Sequence, residues 1–170
     1  NTAVLVFGGQ NQNNPVGAKS TLTELWNGSN WTEVADLNVA RMQLAGCGIS
    51  TAALAFGGDA SPEAVTELWN GSSWSSVNVL NTGRQRLGAA GISTSALAFG
   101  GQNPIKAETE SWNGTNWTEV ADLAVARRWV VGAGINNTSA LAFGGESTAG
   151  LVTNTEEWNA GPTTSTIGTS

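Results

Sequence analysis

Four glutamates, Glu24, Glu67, Glu110 and Glu156, each stand two residues before a tryptophan: Trp26, Trp69, Trp112 and Trp158. Three arginines, Arg41, Arg84 and Arg127, lie 43 residues apart. A carboxylate, an indole and a guanidinium brought together can clamp a sugar, and a pair of carboxylates can cleave a glycosidic bond. A catalytic pair, however, must differ in role and in surroundings. A glutamate repeated in one register beside a repeated tryptophan reads first as a structural pair with an arginine or a backbone donor. A sugar clamp built from Glu24, Glu67 and Glu110 with Arg41, Arg84 and Arg127 is the second reading. The sequence holds no histidine and no tyrosine, which removes Ser-His-Asp and Cys-His chemistry and any histidine-based metal site. No enzyme activity, metal or cofactor is expected.

The glutamates and tryptophans belong to a phrase. TELWNGSNWTEV (23–34) returns as TELWNGSSWSSV (66–77) and TESWNGTNWTEV (109–120), and in part as TEEWNAGPTTST (155–166). Phe-Gly-Gly recurs at 7–9, 56–58, 99–101 and 143–145, in constant order with the phrase and the arginines. A period of about 43 residues is the mark of a repeat architecture. Each unit reads as strands. TAALAFGG (51–58) and TSALAFGG (94–101) are apolar runs stopped by Gly-Gly, and TELW alternates, so Glu67 and Trp69 share one face and Leu68 takes the other. Asn-Gly predicts a tight two-residue hairpin turn with both residues at positive φ. WTEV is the return strand, and RLGAAGIS (86–93) is a strand of small residues, suited to an axis where units converge. No segment has helical periodicity.

The order of Gly-Gly, aromatic, Trp, apolar positions and Arg resembles the kelch-type β-propeller family. Gly8, Gly9, Trp26, Trp31, Val34, Leu37 and Arg41 carry it, as do Gly57, Gly58, Trp69, Trp74, Val77, Leu80 and Arg84. Gly100, Gly101, Trp112, Trp117, Val120, Leu123 and Arg127 form the third set. The first aromatic is Trp where the family usually has Tyr, and the turn between the aromatics is shorter. The resemblance implies an all-β fold: one domain over 1–170, a propeller of about four four-stranded blades with repeats near 1–40, 41–83, 84–126 and 127–170. The copper chemistry of galactose oxidase, an enzyme of that fold, needs the two residue types missing here. The phrase alone is similar to the sugar-binding repeat of fucose-specific propeller lectins, which implies ligand contacts by Glu24, Trp26, Arg41, Glu67, Trp69, Arg84, Glu110, Trp112 and Arg127.

Composition limits the partners. Forty percent of residues are apolar, only 12% are charged, and the net charge is −6 with two lysines and five arginines. A nucleic-acid footprint needs clustered positive charge, so none is expected. No apolar run reaches the length of a membrane-spanning helix. A weakly charged, Gly-, Ser-, Thr- and Asn-rich surface suits secreted, cell-surface or virion proteins. The single cysteine, Cys47, forms no internal disulfide and shares its register with Ala90 and Ala133, as a small core residue does. Seven Asn-X-Ser/Thr patterns, at Asn27, Asn30, Asn70, Asn113, Asn116, Asn136 and Asn137, are turn residues first and glycosylation acceptors second.

The ends leave closure open. The chain starts in a second strand, so the first unit lacks its innermost one, and Asn1 suggests a processed or excised segment. The tail 168–170 joined to the start would restore that strand, or TTSTIGT (163–169) is a degenerate last strand of the fourth unit. The propeller is then whole, or partial and completed by other chains. Variation on the constant scaffold concentrates in the loops 10–22, 59–65, 102–108 and 146–154, and at Trp129, which lies near the expected axis. The expected role is a non-enzymatic module for protein–protein recognition or assembly with partners or further copies, in an extracellular or virion setting. The alternative is a multivalent carbohydrate-binding lectin with sites between blades.

Overall fold

The computed structural model describes residues 3–11, 17–160 and 166–167. Every regular element among them is a strand, and the sheets are antiparallel. Four sheets follow one another along the chain. Sheet I contains β1 (Val4–Phe7), β4 (Thr23–Trp26) and β5 (Trp31–Glu33), with a small hairpin, β2 (Gln10–Asn11) and β3 (Ala18–Lys19), in the connecting loop. Sheet II is β6 (Ala45–Ile49), β7 (Ala52–Phe56), β8 (Thr66–Trp69) and β9 (Trp74–Val77). Sheet III repeats this as β10 (Gly88–Ile92), β11 (Ser95–Phe99), β12 (Thr109–Trp112) and β13 (Trp117–Val120). Sheet IV has β14 (Val131–Asn136), β15 (Ser139–Phe143), β18 (Thr155–Asn159) and the short β19 (Thr166–Ile167), with the hairpin β16 (Glu146–Ser147) and β17 (Gly150–Leu151) in its loop.

Two of the expectations about the ends resolve here. Residues 166–167 pair with 155–156 as the last strand of sheet IV, which is the role foreseen for the degenerate tail. Sheet I has three strands among the described residues, without the small-residue strand that begins the other three. Residues 1–2 and 168–170, invoked for closure, lie outside the described residues.

The core lies between sheets. Leu5 and Phe7 of sheet I meet Ala53, Ala55, Trp69 and Trp74 of sheet II. Leu54, Phe56 and Leu68 leave the opposite face of sheet II toward Ala96, Ala98, Trp112 and Trp117. Leu97 and Phe99 repeat the step toward Ala140, Ala142 and Trp158 of sheet IV. Strands β7 and β11 are covered on both faces, which is why they read as unbroken apolar runs rather than alternating ones. The expected sidedness of TELW holds, with Trp69 turned to sheet I and Leu68 to sheet III.

The first strands β6, β10 and β14 pack beside one another, and the spacing is set by glycine. A Cβ on Gly132 would lie 2.3 Å from the Ala89 carbonyl oxygen and 2.3 Å from the Phe99 ring. The Gly-Gly stop has an equally local cause. Gly57 has φ +66° and Gly58 φ +98°, and a Cβ on Gly57 would stand 2.7 Å from the Arg84 carbonyl oxygen.

The Trp-bracketed turn differs from the expected two-residue form. Trp26 pairs with Trp31, so four residues, 27–30, form the loop. Only the glycines, Gly28, Gly71 and Gly114, have positive φ there. The asparagine contributes its side chain instead: Asn27 Oδ1 accepts hydrogen bonds from the backbone N–H of Ser29 (2.9 Å) and Asn30 (3.0 Å), and Asn70 and Asn113 do the same.

Candidate functional site

The repeated glutamate is held by the unit before it. After sheet I the chain runs along the edge of sheet II, and Glu67 accepts from the Asn38 N–H (2.7 Å), Asn38 Nδ2 (2.7 Å) and the Val39 N–H (3.3 Å). Arg41 Nη2 completes the set at 3.0 Å, and both side chains have 0% exposure. The next joint repeats it: Glu110 accepts from Asn81 N–H (2.7 Å), Asn81 Nδ2 (2.9 Å) and Thr82 N–H (3.2 Å), with Arg84 at 3.2 Å. At the third, Glu156 accepts from Ala124 N–H (2.7 Å) and Arg127 (2.7 Å). Burial pushes the Arg41 guanidinium down to about 10 against the opposing pull of Glu67. Burial lowers Arg84 and Arg127 too, opposed first by Glu110 and Glu156 respectively. Each pair ties the arm that follows one sheet to the glutamate of the next.

The tryptophans belong to the same joint. Trp74 meets Phe7 of the preceding sheet edge-on at 4.8 Å and donates from Nε1 to Thr23 Oγ1 (3.0 Å); Trp117 meets Phe56 and donates to Thr66 Oγ1 (3.1 Å). Trp69 and Trp112 donate to the carbonyls of Ser50 and Ser93. Of the residues expected as ligand contacts, Arg41, Glu67, Trp69, Arg84, Glu110, Trp112 and Arg127 are therefore buried between sheets, bonded to one another and to backbone. Glu24 and Trp26 are placed otherwise. Glu24 is exposed and Trp26 half-buried on the outward face of sheet I, where Trp31 is 49% exposed beside Val4 and Val6.

Trp129 stands at one rim, 49% exposed and at φ 52°. Gln43, Arg86 and Trp129 share this left-handed conformation and are linked in series, Arg86 N–H to the Gln43 carbonyl and Trp129 N–H to the Arg86 carbonyl, each 2.8 Å. The guanidinium carbons of Arg86 and Arg128 lie 4.6 and 4.4 Å from the Trp129 ring centre. Both arginines donate to one oxygen, Gln102 Oε1, and Arg128 also pairs with Glu146. Bridges Met42–Asp59, Gln85–Gln102 and Arg128–Glu146 tie the variable loops to this same rim. Gln102 stands directly after Gly-Gly, as Asp59 and Glu146 do, and what sequence spacing does not show is that its side chain draws both cations onto Trp129.

Cys47 lies partly buried on the face of β6 turned to sheet III, its Sγ 3.7 Å from the Ile92 carbonyl oxygen, and burial pushes its thiol up to about 12. No helix among the described residues is long and apolar enough to cross a membrane. No family model matches the chain, and no curated protein matches it.

Proposed function

We propose that the chain is a non-enzymatic interaction and assembly module, a kelch-like β-propeller in design, partial in this chain and completed by a protein partner, acting in an extracellular or virion setting. The observation that carries this reading is the contrast between interior and end sheets. Sheets II and III bury both faces, whereas sheet I turns Val4, Val6 and Trp31 to solvent and sheet IV turns out Val131, Ile135 and Leu141. Apolar sheet faces of this kind are interaction surfaces. The low charge of the surface supports the extracellular or virion setting. The rim with Trp129 and the unequal loops is a second surface, separate from the joints. A lectin using equivalent residues of every unit has less support, since at three of the four units those residues are spent on the joints.

Charge placed on the end faces tests the reading. Val6→Glu and Leu141→Glu are expected to abolish the complexes that the wild-type chain forms in its native setting, with Tm unchanged. Complexes indifferent to both substitutions, or a wild-type chain that forms none, would overturn it.

A further inference from the structure

Resting on the assembly reading, we infer that the outward face of sheet I is the receiving half of one more joint. Its occupant is a unit of the same design, not a second copy of residues 1–170, that brings an arginine arm and a small-residue inner strand. Three features of the face agree. Glu24 occupies the register of Glu67 and Glu110, yet among the described residues it accepts no hydrogen bond and pairs with no cation. It lies directly opposite Glu33, so the face shows two carboxylates together. In sheet III the same cross-strand pair, Glu110 and Glu119, lies in the field of buried Arg84.

The second feature is an open groove where sheet I has no first strand among the described residues. It has a volume of about 260 Å³ and runs between Val4, Leu5 and Phe7 on one side and Gly46, Cys47 and Gly48 of β6 on the other. One edge of β1 pairs with β4, and no described strand pairs with the other. An inner strand seated there would stand beside β6 as β6 stands beside β10. The third feature is Trp31, the counterpart of Trp74 and Trp117. Those two are covered by a phenylalanine and a threonine of the preceding sheet; Trp31 is exposed.

Charge argues against a second copy stacked head to tail. Its outward sheet IV carries Glu157 opposite Leu141, adding a third carboxylate to Glu24 and Glu33. Its arginines are committed: Arg41, Arg84 and Arg127 to their own glutamates, Arg86 and Arg128 to the Trp129 rim. Residues 161–170 hold no lysine or arginine. Two such copies would bury carboxylates without a cation.

The test compares the whole chain with a version carrying a copy of residues 84–136 ahead of Asn1, which supplies a preceding sheet, the arm of Arg127 and an inner strand. Glu24→Gln should lower the Tm of the extended chain by roughly 5 °C or more and leave the chain itself nearly unchanged. Replacing the copied arginine by Met should cost a similar amount, and the two losses should not add. Equal effects of Glu24→Gln in both chains, or additive losses, would overturn the inference. Sedimentation of the unextended chain decides separately, whether or not the extension folds. Wild type is expected to stay single-copy; an oligomer that Val6→Glu dissolves and Glu24→Gln leaves as it was would make a second copy the occupant and overturn it. If Val6→Glu instead fails to disturb the native complexes, the assembly reading itself falls.

Discussion

Glu110→Ala is the sharpest perturbation of the joint, because the chain contains its own control. In the interior, the change strips Arg84, which has 0% exposure, of its counter-ion, and leaves the N–H groups of Asn81 and Thr82 without their acceptor. Breaking a buried pair by removing one partner costs roughly 3–5 kcal/mol. Asn81 is exposed, so water replaces much of what its N–H loses, and the stranded guanidinium dominates. A loss of about 4 kcal/mol lowers the Tm of a chain this size by roughly 8–16 °C. Glu24→Ala removes the same atoms in the same register from an exposed position, and should shift Tm by no more than about 2 °C. Thermal unfolding followed by tryptophan fluorescence reads both. Adding Arg84→Met to Glu110→Ala removes the stranded charge and should return at least half of the loss. Equal shifts for the two alanine variants, or a double variant no better than the single, would refute the assignment of this pair to the joint.

Gly132→Ala should destabilise by roughly 1–3 kcal/mol through the clash with Ala89 and Phe99, while Gly150→Ala, which meets nothing within 4 Å but stands at φ +117°, should cost only its backbone strain; urea unfolding separates them. Cys47 should resist alkylation at neutral pH in the folded chain. Its thiol keeps its proton up to about pH 12, whereas in the unfolded chain it releases it near 9, so the unfolded state binds fewer protons in that window and stability should fall as pH rises through it. Alanine at Cys47 should remove that share of the pH dependence. A glycan array should give no saturable ligand that is lost on changing Glu67 or Trp69 with the fold intact; tryptophan quenching would confirm any hit.

Period, strand content and the sidedness of TELW were legible because they follow from spacing alone. The structural role of the glutamate was legible for the same reason: a residue repeated in every unit suggests something every unit needs. What spacing does not carry is which unit supplies the partner. Arg41 closes on Glu67, 26 residues ahead and in the next sheet, not on Glu24 in its own. The turn was misread because Asn-Gly is compatible with more than one loop, and the side chain of Asn27 selects a four-residue one by accepting two backbone N–H groups. At the rim the equivalent positions were legible, Gln43 with Arg86 and Trp129, and Met42 with Gln85 and Arg128, but the stacking was not, since none of the three rim residues recurs as a type in its register.

The central claim is that the end sheets are where this chain meets its partners, and hydrogen exchange on the assembled complex against the chain alone tests it most directly. The account predicts new protection in β1 and around Trp31, and in β14 and β15 of sheet IV, with β7 and β11 unchanged. Protection confined to the loops of the Trp129 rim, with both end sheets exchanging as in the free chain, would contradict it.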